Sequence, residues 1–228
     1  MLPLGLFASR TFSAANAMTL LVYAALGAVL FFLVIQVQTV LGYGALQAGM
    51  ATLPITVLML LLASRGGALG ARIGPRIPMT VGPLVMAVGV AWLSLVDDGT
   101  SYWLGVLPPL VVFALGLALM VAPLTATVLG AAPADRAGLA SGVNNAVARA
   151  GSLFAVAALP VVVGLSGADY DNAQAFSSAY SQAMWVCAAL LVAGGVVSWF
   201  TIPDQVPAKP PEMRPRAAPQ LDCPHRGH

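Results

Sequence analysis

The chain has 228 residues, 59% hydrophobic and 8% charged, with a formal net charge of +2 and a mean hydropathy of +0.89. A soluble domain of this length could not cover so much apolar surface, which excludes an ordinary soluble enzyme. The small charge, with no dense basic patch, speaks against a nucleic-acid partner, and two cysteines, Cys187 in an apolar run and Cys223 near the end, make no disulfide framework.

Six apolar runs are long enough to cross a bilayer, which takes about 20 residues. They are expected at 13–39, 46–64, 77–96, 103–131, 139–166 and 181–202. Each must be helical, because an unpaired backbone group in hydrocarbon costs several kcal/mol. The first run follows a lone Arg10 and exceeds the ~7 to 15 apolar residues of a signal peptide, so it reads as a retained span. It carries Asn16, Tyr23, Gln36 and Gln38. Asn16 and Tyr23 are seven residues apart and share a helix face. A substrate-facing stripe and plain interhelical packing both account for them.

Between the second and third spans lies Arg65-Gly-Gly-Ala-Leu-Gly-Ala-Arg-Ile-Gly-Pro-Arg76, a short basic, glycine-rich stretch expected to be a loop. Pro54, Pro123 and Pro160 fall inside spans and are expected to kink them, since a mid-helix proline removes one backbone hydrogen bond. The fifth span concentrates the polar residues. Ser141, Asn145, Arg149 and Ser152 fall within about 80° of one helix face, with Asn144 at its edge. An ionised Arg149 so far inside a span is costly. It either lines a cavity or locks a conformation, or it snorkels to the headgroups while the asparagines tie helices together.

Charge orients the spans. Arg10, the Arg65–Arg76 stretch, Arg136 and the basic residues of the tail fall on one side, whereas the opposite connections hold Asp97, Asp98, Asp169 and Asp171 and no Lys or Arg. This positive-inside pattern puts both termini in the cytoplasm and agrees with an even span count. Residues 1–202 are therefore read as one transmembrane domain and 203–228 as a proline-rich, disordered cytoplasmic tail. The tail ends Cys-Pro-His-Arg-Gly-His, a poor metal site on a mobile segment, so no metal and no cofactor is expected. No span contains His, Asp or Glu, which removes the nucleophile–base pairs and dicarboxylates that intramembrane catalysis needs.

Gly67-Ala-Leu-Gly-Ala-Arg72-Ile-Gly74-Pro-Arg76 resembles the loop G-x-x-x-D-R-x-G-R-[RK] of the major facilitator superfamily. Val40-Leu-Gly-Tyr-Gly-Ala-Leu-Gln-Ala-Gly49, Leu53-Pro54 and Ala137-Gly-Leu-Ala-Ser-Gly-Val-Asn-Asn145 resemble the second half of 14-span drug:proton antiporters of the EmrB/QacA type. Ala71 stands where the pattern has Asp, and Pro75 where it has a basic residue. The resemblance implies an all-α, six-helix bundle forming half of a major facilitator fold, the C-terminal half of a multidrug exporter in the cell membrane. Gly67, Arg72, Gly74 and Arg76 would be the loop that changes during alternating access. Lipophilic or cationic compounds would be exchanged for protons. Because no span holds a carboxylate, protons would be handled through a missing N-terminal half or a second copy. Asn16, Tyr23, Gln36, Asn145 and Arg149 are the expected cavity wall. A non-transporting six-span scaffold or truncated fragment is the alternative.

Overall fold

The computed structural model describes residues 4–204. The tail from 205 onward, with the expected disorder and the Cys-Pro-His-Arg-Gly-His end, lies outside the described residues. Seven α-helices make up the bundle: α1 (Arg10–Thr39), α2 (Ala45–Ala51), α3 (Leu53–Ile73), α4 (Arg76–Leu93), α5 (Leu107–Gly130), α6 (Ala137–Val162) and α7 (Ala173–Thr201). A π turn at Tyr102–Val106 leads into α5, and short 3-10 turns sit at Leu4–Ala8, Ala134–Arg136 and Gly167–Asp171. Six helical segments are long and apolar enough to cross a membrane, α2 and α3 together forming the second.

The elements follow from local chemistry. Ser9 starts α1, its hydroxyl accepting from the Phe12 N–H at 3.4 Å. Asn172 starts α7 by accepting from Gln174 and Ala175. That cap begins the last helix at Ala173, well before the apolar run at 181, because hydropathy marks where lipid contact begins rather than where the helix does. The π turn precedes Pro108 and Pro109, which have no N–H to donate to the Leu104 and Gly105 carbonyls four residues back, so a regular α-helix does not run through this turn.

Four helices form the core. α4 packs along α5 and α7, and α1 packs along α7 and α6. Phe32, Phe113, Phe176, Tyr180, Met79 and Met86 are fully buried there. Glycines permit the closest crossings: a Cβ at Gly89 would stand 2.7 Å from the Phe113 nitrogen and the Pro109 oxygen, and one at Gly82 would stand 2.8 Å from the Gly116 oxygen.

α3 and α6 are different. α3 is held mainly by α5, and α6 mainly by α1. Only 17% of the most apolar stretch of the second span and 22% of that of the fifth are buried, against 44% to 56% in the other four. Two membrane-length helices thus hang on the outside of a four-helix core.

The prolines correct one expectation. Pro54 does not bend a continuous helix: the second span is broken at Thr52, and Pro54 sits in the first turn of α3, where its missing N–H costs nothing. Pro123 lies inside α5, Pro160 inside the last turn of α6, and Pro83, which the hydropathy reading passes over, inside α4.

Candidate functional site

The basic stretch is mostly helix. α3 runs on to Ile73, so Gly67 and Arg72 sit on a helix and only Gly74-Pro75 connects it to α4. The reason is packing: a Cβ at Gly66 would collide with the Ala118 carbonyl oxygen, and one at Gly70 would stand 2.6 Å from the Pro123 ring. These glycines let α3 lie against α5 rather than loosen the chain. The helix stops where Gly74 takes φ of +86°, a left-handed value that suits glycine.

That turn is a junction of three helices. Arg76 opens α4, and its guanidinium carbon lies 4.2 Å from the ring centre of Trp199 on α7, a cation–π contact. Its Nε is buried without a hydrogen-bond partner among the described residues. Just past α7, Asp204 packs on the turn: its backbone oxygen would be 2.9 Å and its carboxylate oxygen 3.2 Å from a Cβ at Gly74. The chain that lacks an acid at Ala71 therefore has one beside the same turn, from a segment far away in sequence. Trp199 and Asp204 were not legible as partners, because no local pattern links a helix end to a turn over a hundred residues earlier.

At the other end of the bundle, Tyr102 closes the break in the second span. The Ile55 N–H turns to the Thr52 carbonyl at 3.1 Å. The Ala51 carbonyl accepts from the Tyr102 hydroxyl at 3.0 Å. Tyr43, Gln47, Met50, Tyr102 and Trp103 line a groove of about 280 Å³ beside this joint. On the last connection, Asp169 accepts from the Ser166 hydroxyl at 2.6 Å and from its N–H at 2.8 Å. The hydroxyl first, then the N–H, hold that carboxyl below its ordinary range.

The expected cavity residues do not form one wall. Gln36 is fully buried. It lies about 160° round α1 from Asn16, by 100° per residue. Its side-chain amide donates to the Val96 carbonyl at 2.9 Å and lies 3.4 Å from the Ser177 hydroxyl, so it ties α1 to the connection just after α4 and to the start of α7. Asn16 is also buried, its amide donating to its own helix at Phe12. Tyr23 is half-buried on α1. Asn145 and Arg149 are exposed on α6. The structure brings these two together on one face and leaves Gln36 apart. The polar stripe of α6 straddles an edge: Asn144 faces inward, accepting from the Thr19 hydroxyl at 2.8 Å, and Ser152 packs against Gly27. Asn144 is thus the asparagine that ties helices, while Asn145 bonds, among the described residues, to Ser141 of its own helix.

Residues 2–156 fit the model of the Major Facilitator Superfamily. The chain belongs to the Major Facilitator Superfamily. Its six-helix bundle fits half of that fold, and the family comprises transport proteins, not enzymes. The chain is 35% identical over 154 residues to the cephamycin export protein CmcT of Amycolatopsis lactamdurans, covering 66% of this chain and 32% of that protein. It is 31% identical over 173 residues to the quinolone resistance protein NorB of Staphylococcus aureus (strain COL), covering 74% and 36%. It is 31% identical over 169 residues to the tetracenomycin C resistance and export protein of Streptomyces glaucescens, covering 72% and 30%. The chain therefore spans about a third of the length of these relatives.

Proposed function

We propose that this facilitator-superfamily chain is the C-terminal half of a multidrug exporter that works by alternating access and exchanges lipophilic or cationic compounds for protons. The observation that carries the reading is the division of the bundle. α3 and α6 are membrane-length helices left largely uncovered, as the wall of a transporter would be before its other half closes on it. The export proteins among its relatives supply the direction. The basic junction at Arg72, Gly74 and Arg76 supports a cytoplasmic position for that end, with both termini inside and the chain in the cell membrane.

Tyr23, Asn145 and Arg149 are the residues we assign to the wall facing the other half. Asn16 and Gln36 are buried inside the bundle, their amide N–H groups donating to Phe12 and Val96. The described α-helices hold no carboxylate, so proton exchange requires acids from elsewhere. The same absence favours, as the second reading, a six-span scaffold without a transport cycle.

Dye efflux in cells stripped of their own pumps separates the two. The arms are this chain alone, this chain with a supplied N-terminal half, and an empty vector. Efflux is expected only with the N-terminal half, and Arg149→Ala in that pair is expected to lower it at least several-fold at unchanged protein level. Protein present in the membrane with no efflux in either arm would leave the scaffold reading standing.

A further inference from the structure

Part of one face of α6, beside the Ser152 that packs on Gly27 of α1, is left uncovered by the bundle. Gly138, Gly142, Asn145 and Arg149 are all exposed. They fall within about 60° of arc at 100° per residue. The residues that pack α6 on α1, among them Ala140, Asn144, Gly151 and Ala155, lie on the opposite side. A Cβ at Gly138 or Gly142 would meet nothing within 4 Å, so these two glycines are not needed by the bundle as it stands. That contrasts with Gly151, where a Cβ would be 2.8 Å from the Leu20 carbonyl oxygen.

Arg149 sits twelve residues into α6, about 18 Å from its start at 1.5 Å per residue. This is near the middle of a hydrocarbon layer of about 30 Å. An ionised guanidinium at that depth needs a counter-charge or water. The ion pair among the described residues joins Arg136 to Asp135 in the turn before α6, and no described α-helix holds a carboxylate.

We infer that this face of α6 is the docking surface for a transmembrane helix that places small residues against Gly138 and Gly142 and an ionised Asp or Glu opposite Arg149. The inference rests on the reading that the chain works with further helices, and it names their chemistry. Small-xxx-small spacing lets two backbones approach closely, which is what brings a short carboxylate within reach of the guanidinium. Asn145, one turn away, offers the partner backbone or the same carboxylate an amide. Charge complementarity also excludes a second copy on this face. Two copies packed through α6 in the same orientation would set Arg149 against Arg149, and like charges repel strongly in a low-dielectric layer.

The test reads association, not transport, so it stands apart from the efflux assay. The full chain carrying Leu153→Cys, an exposed position beside the stripe, and Cys223→Ser is reconstituted in phosphatidylcholine vesicles. It is mixed with single-span Leu/Ala peptides that hold one cysteine and, at the depth of Arg149, Glu, Gln or Lys. Disulfide cross-linking to the Glu peptide is expected to exceed that to the Gln peptide about fivefold, with Lys lowest. Arg149→Gln should equalise Glu and Gln, and Gly142→Leu, whose Cβ would meet no atom of the bundle within 4 Å, should reduce the Glu yield several-fold. Equal yields for the Glu and Gln peptides with Arg149 in place would overturn the inference. So would cross-linking dominated by two copies of the chain whichever peptide is present.

Discussion

Tyr102 holds the joint of the second span. Its hydroxyl is the partner that the structure gives the Ala51 carbonyl where α2 gives way to α3. Tyr102→Phe removes that donor and keeps the ring, so the loss isolates one hydrogen bond. It is expected to cost about 1 kcal/mol. Amide exchange should quicken at Thr52 and Ile55 while α4 and α7 keep their protection, and unchanged exchange at the joint would show that the bond holds nothing. The sequence reading saw half of this feature. Pro54 announces a break in the helix, but the donor that serves the neighbouring Ala51 carbonyl, freed when the Ile55 N–H turns to Thr52, comes from the start of the fourth span, and no periodicity links the two. The same limit applies to Arg76. Its charge and position mark it as important, yet its contact with Trp199 is visible only when α4 and α7 lie side by side. Asn144 and Asn145 make the point most sharply. They are adjacent and identical, and 100° of helical rotation decides that one ties α6 to α1 and the other faces outward.

At the scale of the helix, glycine carried a misleading signal. Gly66, Gly67, Gly70 and Gly74 lie close enough together to read as a loop, since each glycine costs a helix interior up to about 1 kcal/mol. Three of the four are helical, and the structure uses them to bring α3 against α5. A matched pair of substitutions separates the two uses of glycine. Gly66→Leu puts a side chain into the Ala118 backbone and should destabilise the α3–α5 pair by about 3 kcal/mol or more. Gly142→Leu points into open space and should change the stability of the isolated chain by less than about 0.5 kcal/mol. Denaturation of the purified chain in mixed detergent, followed by tryptophan fluorescence, checks both, and equal losses would contradict the division into packed and unpacked glycines. The spans themselves were legible because burial in lipid demands a composition as well as a pattern. Their ends were not, because caps such as Asn172 lie in polar sequence that hydropathy does not weigh.

For the whole molecule, six spans and a basic and an acidic end could be read from composition and charge alone. What could not be read is that the six helices divide into four that make a core and two that lean on it. The division turns on which faces of α3 and α6 are covered; the polar stripe of α6 marks one side of the helix but straddles the edge of its packing, Asn144 facing inward and Asn145 outward, so it does not name the inner side. If another set of helices completes the transporter, it should cover these two first. Single cysteines at Leu60 and Leu61 on α3 and at Gly142 and Leu153 on α6 test this, with one at Trp185 on α7 as the lipid-facing comparison, all being exposed positions in the chain alone. A membrane-permeant maleimide should label every one of them in vesicles that contain only this chain. When the chain is co-expressed with an N-terminal half, at least one position on α3 and one on α6 should lose most of their labelling, while Trp185→Cys keeps it. Protection at Trp185→Cys with open α3 and α6 would put the partner on the wrong side of the bundle. Labelling unchanged everywhere, despite co-purification of the two chains, would mean that the uncovered helices face lipid and that the half-transporter reading has lost its main support.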